Sequence, residues 1–192
     1  ALFLPLGTAF AATTYFRNEI RSYVADLALL RVNSYDTREL RFLILATLIS
    51  GVTGLLAYKL LIEAVSALDG GILILLIGFL LVITGGFQYW SGGRATSRKP
   101  TRPILDATLV GIGQGISILP GISRSGATVG LLLLRGYEGE TTFRLSFVLS
   151  IPAAVGASLL AVIESGGLPG ISPLAAAGAL IASGVVGLIS VD

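Results

Sequence analysis

Hydrophobic positions in this chain come as long unbroken runs. Phe42–Leu61, Ile72–Trp90, Leu145–Ile163 and Pro173–Val191 each approach the ~20 residues a helix needs to cross ~30 Å of hydrocarbon. A shorter run covers Leu2–Phe16. Inside lipid every backbone polar group needs a partner, which leaves helices or a closed barrel. Barrel strands alternate apolar and polar residues, and these runs do not. The predicted fold is therefore all-α, a polytopic membrane helix bundle.

Two stretches break the pattern. Ile20, Tyr23, Val24, Leu27 and Leu30 recur at helical spacing with Arg21, Asp26 and Arg31 between them. That predicts a short amphipathic helix on the membrane surface within 17–41. Ile104–Leu134 would be about 46 Å long as one helix, too long for one span, and Pro120-Gly121 interrupts it. A re-entrant hairpin of two half-helices over about 104–134 fits better. Pro103 and Asp106 suit its first turn. The whole of 1–192 reads as a single integral membrane domain, about five transmembrane helices plus the hairpin.

Charge refines the topology. Charged residues make up 12% of the chain, against about 25% in soluble domains. Arg17, Arg21, Arg31, Arg38 and Arg41 form one basic patch, and Arg94, Arg98, Lys99 and Arg102 a second. The loop between the second and third runs carries Glu63 and Asp69 and no cation. Counting crossings puts both basic patches on one side, which the positive-inside rule makes cytoplasmic. Gln88, Tyr89 and Trp90 suit an interfacial belt. No feature points to nucleic acid. Cysteine and histidine are absent, which removes thiol chemistry and the commonest general base near neutral pH. The chain opens inside an apolar run and has no methionine, so it is expected to be N-terminally truncated.

The chemistry concentrates in "SRSGATV", Ser123–Val129. An arginine at bilayer depth costs about 2.5–3.5 kcal/mol on insertion scales and reads as functional. The break also creates a helix N-terminus near Ser125, with unpaired N–H groups that attract an anion. Ser123 and Ser125 supply hydroxyls, Thr128 shares the face of Arg124, and Gly121 and Gly126 let backbone approach closely. Arginine suits phosphate through its planar fork of donors. The residues alone support a phosphate or carboxylate site. The competing reading is a polar turn with Ser125 as helix cap and Arg124 paired to an acid. "GIGQG", Gly111–Gly115, reads as helix packing rather than a nucleotide loop. Gln114 either reaches the site or satisfies a neighbouring carbonyl.

"LPGISRSGAT" resembles the second signature of the undecaprenyl-diphosphatase family, membrane phosphatases linked to bacitracin resistance. Pro120, Gly121, Ser123, Arg124, Ser125, Gly126 and Thr128 all match it. The resemblance extends to "PLGTAFAATTYFRNEI" before it and "SFVLSIPAAVGAS" after it, and so covers most of the chain. It implies hydrolysis of a polyprenyl diphosphate to the monophosphate carrier used in cell-wall synthesis, on an all-helical bundle of two inverted repeats with re-entrant hairpins. It implies that Arg124 grips the diphosphate, that Ser123, Ser125 and Thr128 bond its oxygens with Gly126 beside them, and that Arg124, Ser123 and Ser125 form the catalytic set. Gln114 would support them. It also implies a divalent cation, magnesium or calcium. The expected partners are the polyprenyl diphosphate lipid and the bilayer, and a homodimer is compatible with both.

One departure matters. The family's first signature, with paired glutamates, a serine and a histidine, has no counterpart in these residues. The metal ligands, nucleophile and general acid or base are then expected outside this chain, and these residues alone are expected to be inactive. The plasma membrane is the expected location, with the site opening to the extracytoplasmic side. The alternative is a polyprenyl-phosphate transporter or flippase, or a degenerate non-catalytic homologue, since broken helices with a midplane anion site also build transporters.

Overall fold

The computed structural model describes residues 3–28, 35–67, 69–93, 103–164 and 173–191. Among them the regular elements are all helices: α1 (Phe3–Tyr15), α2 (Arg17–Ala28), α3 (Tyr35–Ala67), α4 (Gly70–Gly92), α5 (Pro103–Ile116), α6 (Arg124–Leu134), α7 (Gly139–Glu164) and α8 (Pro173–Val191). The fold is all-α, as the unbroken runs predict. Arg31 and the basic stretch of Arg94, Arg98, Lys99 and Arg102 lie outside the described residues.

Among the described residues three helices are long and apolar enough to cross a membrane: Arg38–Glu63, Gly70–Gly92 and Gly139–Glu164. Only 6% of the α4 window is buried within the protein. Ile74, Leu75, Phe79 and Val82 point outward, a surface that water would penalise by ~25 cal/mol per Å² and hydrocarbon does not. This is a membrane protein. The opening run forms α1, whose 13 residues span about 20 Å. The apolar stretch of α8 among described side chains is Ala176–Ile189.

The chain divides into two compact units. The first comprises residues 1–37 and 147–192. Here α1 packs on α8 through small residues. A β-carbon at Gly187 would meet the Ala11 β-carbon at 2.8 Å, and one at Gly7 would meet the Leu180 carbonyl at 2.7 Å. Close approach of this kind gives dispersion contact where lipid leaves little hydrophobic driving force. Of the amphipathic pattern after Phe16, Ile20, Tyr23, Val24 and Leu27 lie on α2, and Leu30 lies outside the described residues.

The second unit, residues 38–146, carries the "SRSGAT" motif. Its centre is a helical hairpin, α5 packed on α6, with α4 against α6. The glycines of "GIGQG" are packing surfaces. A β-carbon at Gly111 would meet the Ala46 carbonyl at 2.7 Å and Ile49 at 2.9 Å, and one at Gly115 would overlap Thr53, all on α3. Gly113 faces Leu131 on α6. Polar bonds line the α3–α5 seam: Gln114 Nε2 donates to Ser50 Oγ at 3.1 Å, and Thr53 Oγ1 reaches the Gly111 carbonyl at 3.4 Å.

The hairpin is fastened at its base. Asp106 in the first turn of α5 receives Arg135 Nε, at the end of α6, at 2.5 Å. Tyr137 donates its hydroxyl to the other carboxylate oxygen at 3.3 Å. The two half-helices therefore return to the same level. A second ion pair joins Arg144 of α7 to Glu39 of α3 at 2.8 Å.

Candidate functional site

The elbow between the half-helices is built by Pro120 and Gly121. The tightening end of α5 is marked by bonds from Ile118 N–H to the Gly115 carbonyl and from Leu119 N–H to the Ile116 carbonyl. Gly121 has φ +97°, a conformation that costs most side chains energy. Its α-carbon also lies on α4, so that a β-carbon would meet the Ile77 carbonyl at 2.6 Å and Leu80 at 2.9 Å. Thr84 Oγ1 lies 3.3 Å from the Gly121 carbonyl. One residue thus satisfies two demands, and the elbow is pinned to α4.

α6 begins at Arg124, and its cap is Ser123. Ser123 has extended backbone, and its hydroxyl accepts from Gly126 N–H at 3.1 Å, the N3 donor. This moves the cap two residues earlier than Ser125, where the sequence reading put the helix start. A serine was available at either position, and only tertiary placement of the elbow decides between them. Ala127 N–H bonds the Ser123 carbonyl at 2.9 Å. Among the described residues the N–H groups of Arg124 and Ser125 have no partner. They point out of the helix end with its partial positive charge.

Ser125 is exposed, and Ser123 and Arg124 are half-buried. The two serine hydroxyls are 3.4 Å apart. Among the described residues no carboxylate pairs with Arg124. The ion pair required by the competing reading of "SRS" is therefore not formed among the described residues. Ser123, Arg124, Ser125 and Gly126 share one helix end.

Thr128 is placed differently. It is 1% exposed, and its hydroxyl lies 3.0 Å from the Arg124 carbonyl and 2.6 Å from Ser146 Oγ on α7. With one proton to give, it ties the first turn of α6 to α7 from beneath. Gln114 is buried, and its bond to Ser50 points it at α3. The sequence reading missed Ser146 and the Asp106–Arg135 pair, whose partners lie 18 and 29 residues away. It also took Gln88 for an interfacial residue. In the structure the Gln88 side chain lies over Gly126, filling the space a β-carbon would take. The signal was readable, since Thr84, Gln88 and Ser91 recur at i, i+4 and i+7 and mark the protein side of a lipid-facing helix.

No group of three or more acidic, histidine or cysteine side chains lies within reach of a common ion among the described residues. The described residues do not fit a divalent cation.

This geometry can be set beside known proteins. Residues 1–192 match the family described as Bacitracin resistance protein BacA. The chain belongs to this family. An undecaprenyl-diphosphatase of Haloarcula marismortui is 48% identical over 194 residues, covering 100% of this chain and 72% of that protein. A protein of the same name from Saccharolobus solfataricus is 37% identical over 166 residues, covering 85% of this chain and 59% of its own length. One from Pyrobaculum aerophilum is 36% identical over 202 residues, covering 99% and 69%. The chain thus spans 59% of the second of these relatives and 72% of the first. The match extends through both units, well beyond the "SRSGAT" motif.

Proposed function

We propose that this chain belongs to an enzyme that hydrolyses undecaprenyl diphosphate to the monophosphate and inorganic phosphate. The observation that carries the proposal is Arg124, which among the described residues has no acid beside it and stands at a helix N-terminus with two unpartnered N–H groups. Full-length relatives named for this activity support it. The transporter reading explains the broken helix equally well and draws no support from those names.

In the reaction, water oxygen bonds to the terminal phosphorus and the phosphoanhydride P–O bond breaks. The lipid monophosphate leaves with that oxygen, and the terminal phosphoryl group departs as phosphate. Charge builds on the leaving oxygen and the phosphoryl oxygens. Arg124 and the helix end hold that charge in fixed positions, which is the main protein contribution to phosphoryl transfer. Ser123 keeps its proton free to donate while its oxygen accepts from Gly126, and Ser125 offers a second hydroxyl. Thr128 keeps the first turn in place rather than meeting the anion. Gln114 belongs to the α3 seam.

We further propose that the hairpin is re-entrant in the bilayer, that the basic stretches are cytoplasmic and that the elbow opens outward. Magnesium or calcium would need ligands beyond the described residues. A homodimer is compatible with the exposed helix faces. The test is phosphate release from undecaprenyl diphosphate by the full-length protein in detergent, with and without added magnesium or calcium. Release confirms the activity, and well-folded protein that releases none removes it.

A further inference from the structure

We infer that Gln88 is a second arm of the anion site and that it recognises the second phosphate of a diphosphate headgroup. This inference rests on the phosphatase reading above. Gln88 is on α4, outside the motif, and its side chain is exposed. Its Cγ, Cδ and Nε2 all lie over Gly126 in the first turn of α6. Among the described residues its amide has no hydrogen-bond partner. Its two N–H donors thus lie beside the first turn of α6, where among the described residues the backbone N–H groups of Arg124 and Ser125 are also without a partner.

The direction of approach gives the specificity. Successive residues of an α-helix turn by about 100°, so the side-chain directions at 124 and 126 differ by about 160°. Gln88 comes against Gly126, hence from the side away from Arg124. An anion on the helix end would then meet the guanidinium from one side and the neutral amide from the other. A single phosphate is held by the helix end and Arg124. A diphosphate is long enough to meet the amide as well. A neutral donor adds a bond without a second full charge, and so leaves the monophosphate product free to depart.

The anchoring is specific too. Thr84 and Ser91 are buried on the same face of α4, and Thr84 reaches the Gly121 carbonyl. Ser91 Oγ donates to the Gln88 carbonyl at 3.1 Å. The segment carrying the amide is held at both ends, and only glycine at 126 leaves room for it.

The test uses the full-length protein with undecaprenyl diphosphate as substrate and undecaprenyl phosphate as competitive inhibitor. Gln88→Leu is expected to raise KM about tenfold, as loss of a hydrogen bond to a charged group does, with kcat within about threefold and inhibition by the monophosphate unchanged. Gln88→Glu, the same size with negative charge, is expected to raise KM further, and Gln88→Lys to keep it near the native value. Gly126→Ala, which fills the amide's seat, is expected to shift KM as Gln88→Leu does. A merely structural role would not order the variants by charge. Native KM in both Gln88→Leu and Gln88→Glu overturns the inference and leaves the phosphatase reading standing. Equal weakening of substrate and monophosphate overturns the second-phosphate assignment. Unmutated protein that neither releases phosphate nor is retained on undecaprenyl diphosphate overturns the phosphatase reading, and the inference falls with it.

Discussion

Asp106 and Arg135, 29 residues apart, form an ion pair that closes the α5–α6 hairpin at its base. The two partners are unequally covered, with side chains 1% and 31% exposed respectively. Asp106 cannot reach solvent, whereas Arg135 can.

That asymmetry fixes an order of effects. Arg135→Ala leaves a buried carboxylate with only Tyr137, a loss of about 3–5 kcal/mol. Asp106→Ala leaves an arginine that can turn to water, a loss of about 1–2 kcal/mol. Thermal unfolding in detergent should give the lower midpoint to Arg135→Ala. The reverse order would mean that the pair does not hold the hairpin.

Tyr137 lies in the turn between α6 and α7, outside the apolar spans. Burial, then the Asp106 charge and hydrogen bond, push its phenol well above the ordinary range, with Arg135 acting in the opposite sense. An unfolded phenol loses its proton near ~10 while the folded one keeps it, so stability falls as pH climbs past that value. Tyr137→Phe should flatten this fall. It should also leave the tyrosinate absorbance step below pH 12 unchanged, and a reduced step would show that Tyr137 titrates normally.

Gly121 carries the elbow under two constraints at once, a left-handed φ and contact with the Ile77 carbonyl. Gly121→Ala should cost more than about 2 kcal/mol, from backbone strain and overpacking together. It should also lower phosphate release, because the same residue sets where α6 begins. A variant with native midpoint and activity would show that the elbow relaxes freely.

Thr128 and Ser146 join hydroxyls at 2.6 Å in a buried seam. Thr128→Val leaves the Ser146 oxygen short of a partner, and Ser146→Ala leaves Thr128 with only its own helix's carbonyls. A double-mutant cycle on stability should return a coupling of about 1 kcal/mol. Additive effects would place the two hydroxyls apart.

Much of this was legible in the sequence because it follows from local rules. Unbroken apolar runs gave the long helices, and Pro120-Gly121 placed the break that separates α5 from α6. "SRS" identified its own helix end, since a cap and an anion site need the same residue types. What escaped was tertiary. Asp106 looked like a first-turn carboxylate serving its own helix, and its partner is an arginine at the far end of another. Thr128 shares a helical face with Arg124, and α7 covers that face with Ser146. Gln88 resembled a belt residue beside Tyr89 and Trp90. Its role depends on a glycine 38 positions later that alone leaves space for it.

Arg124 is proposed to hold phosphate, with no carboxylate beside it among the described residues. The most direct test is phosphate release from undecaprenyl diphosphate by full-length protein bearing Arg124→Ala, with Arg124→Lys beside it. Alanine should lower release by at least about 10²-fold, the scale of losing one charge-stabilising donor, and lysine should recover part of it by restoring charge without the planar fork. Both variants should fold as the unmutated protein does. Release by Arg124→Ala within a few-fold of native would contradict the account.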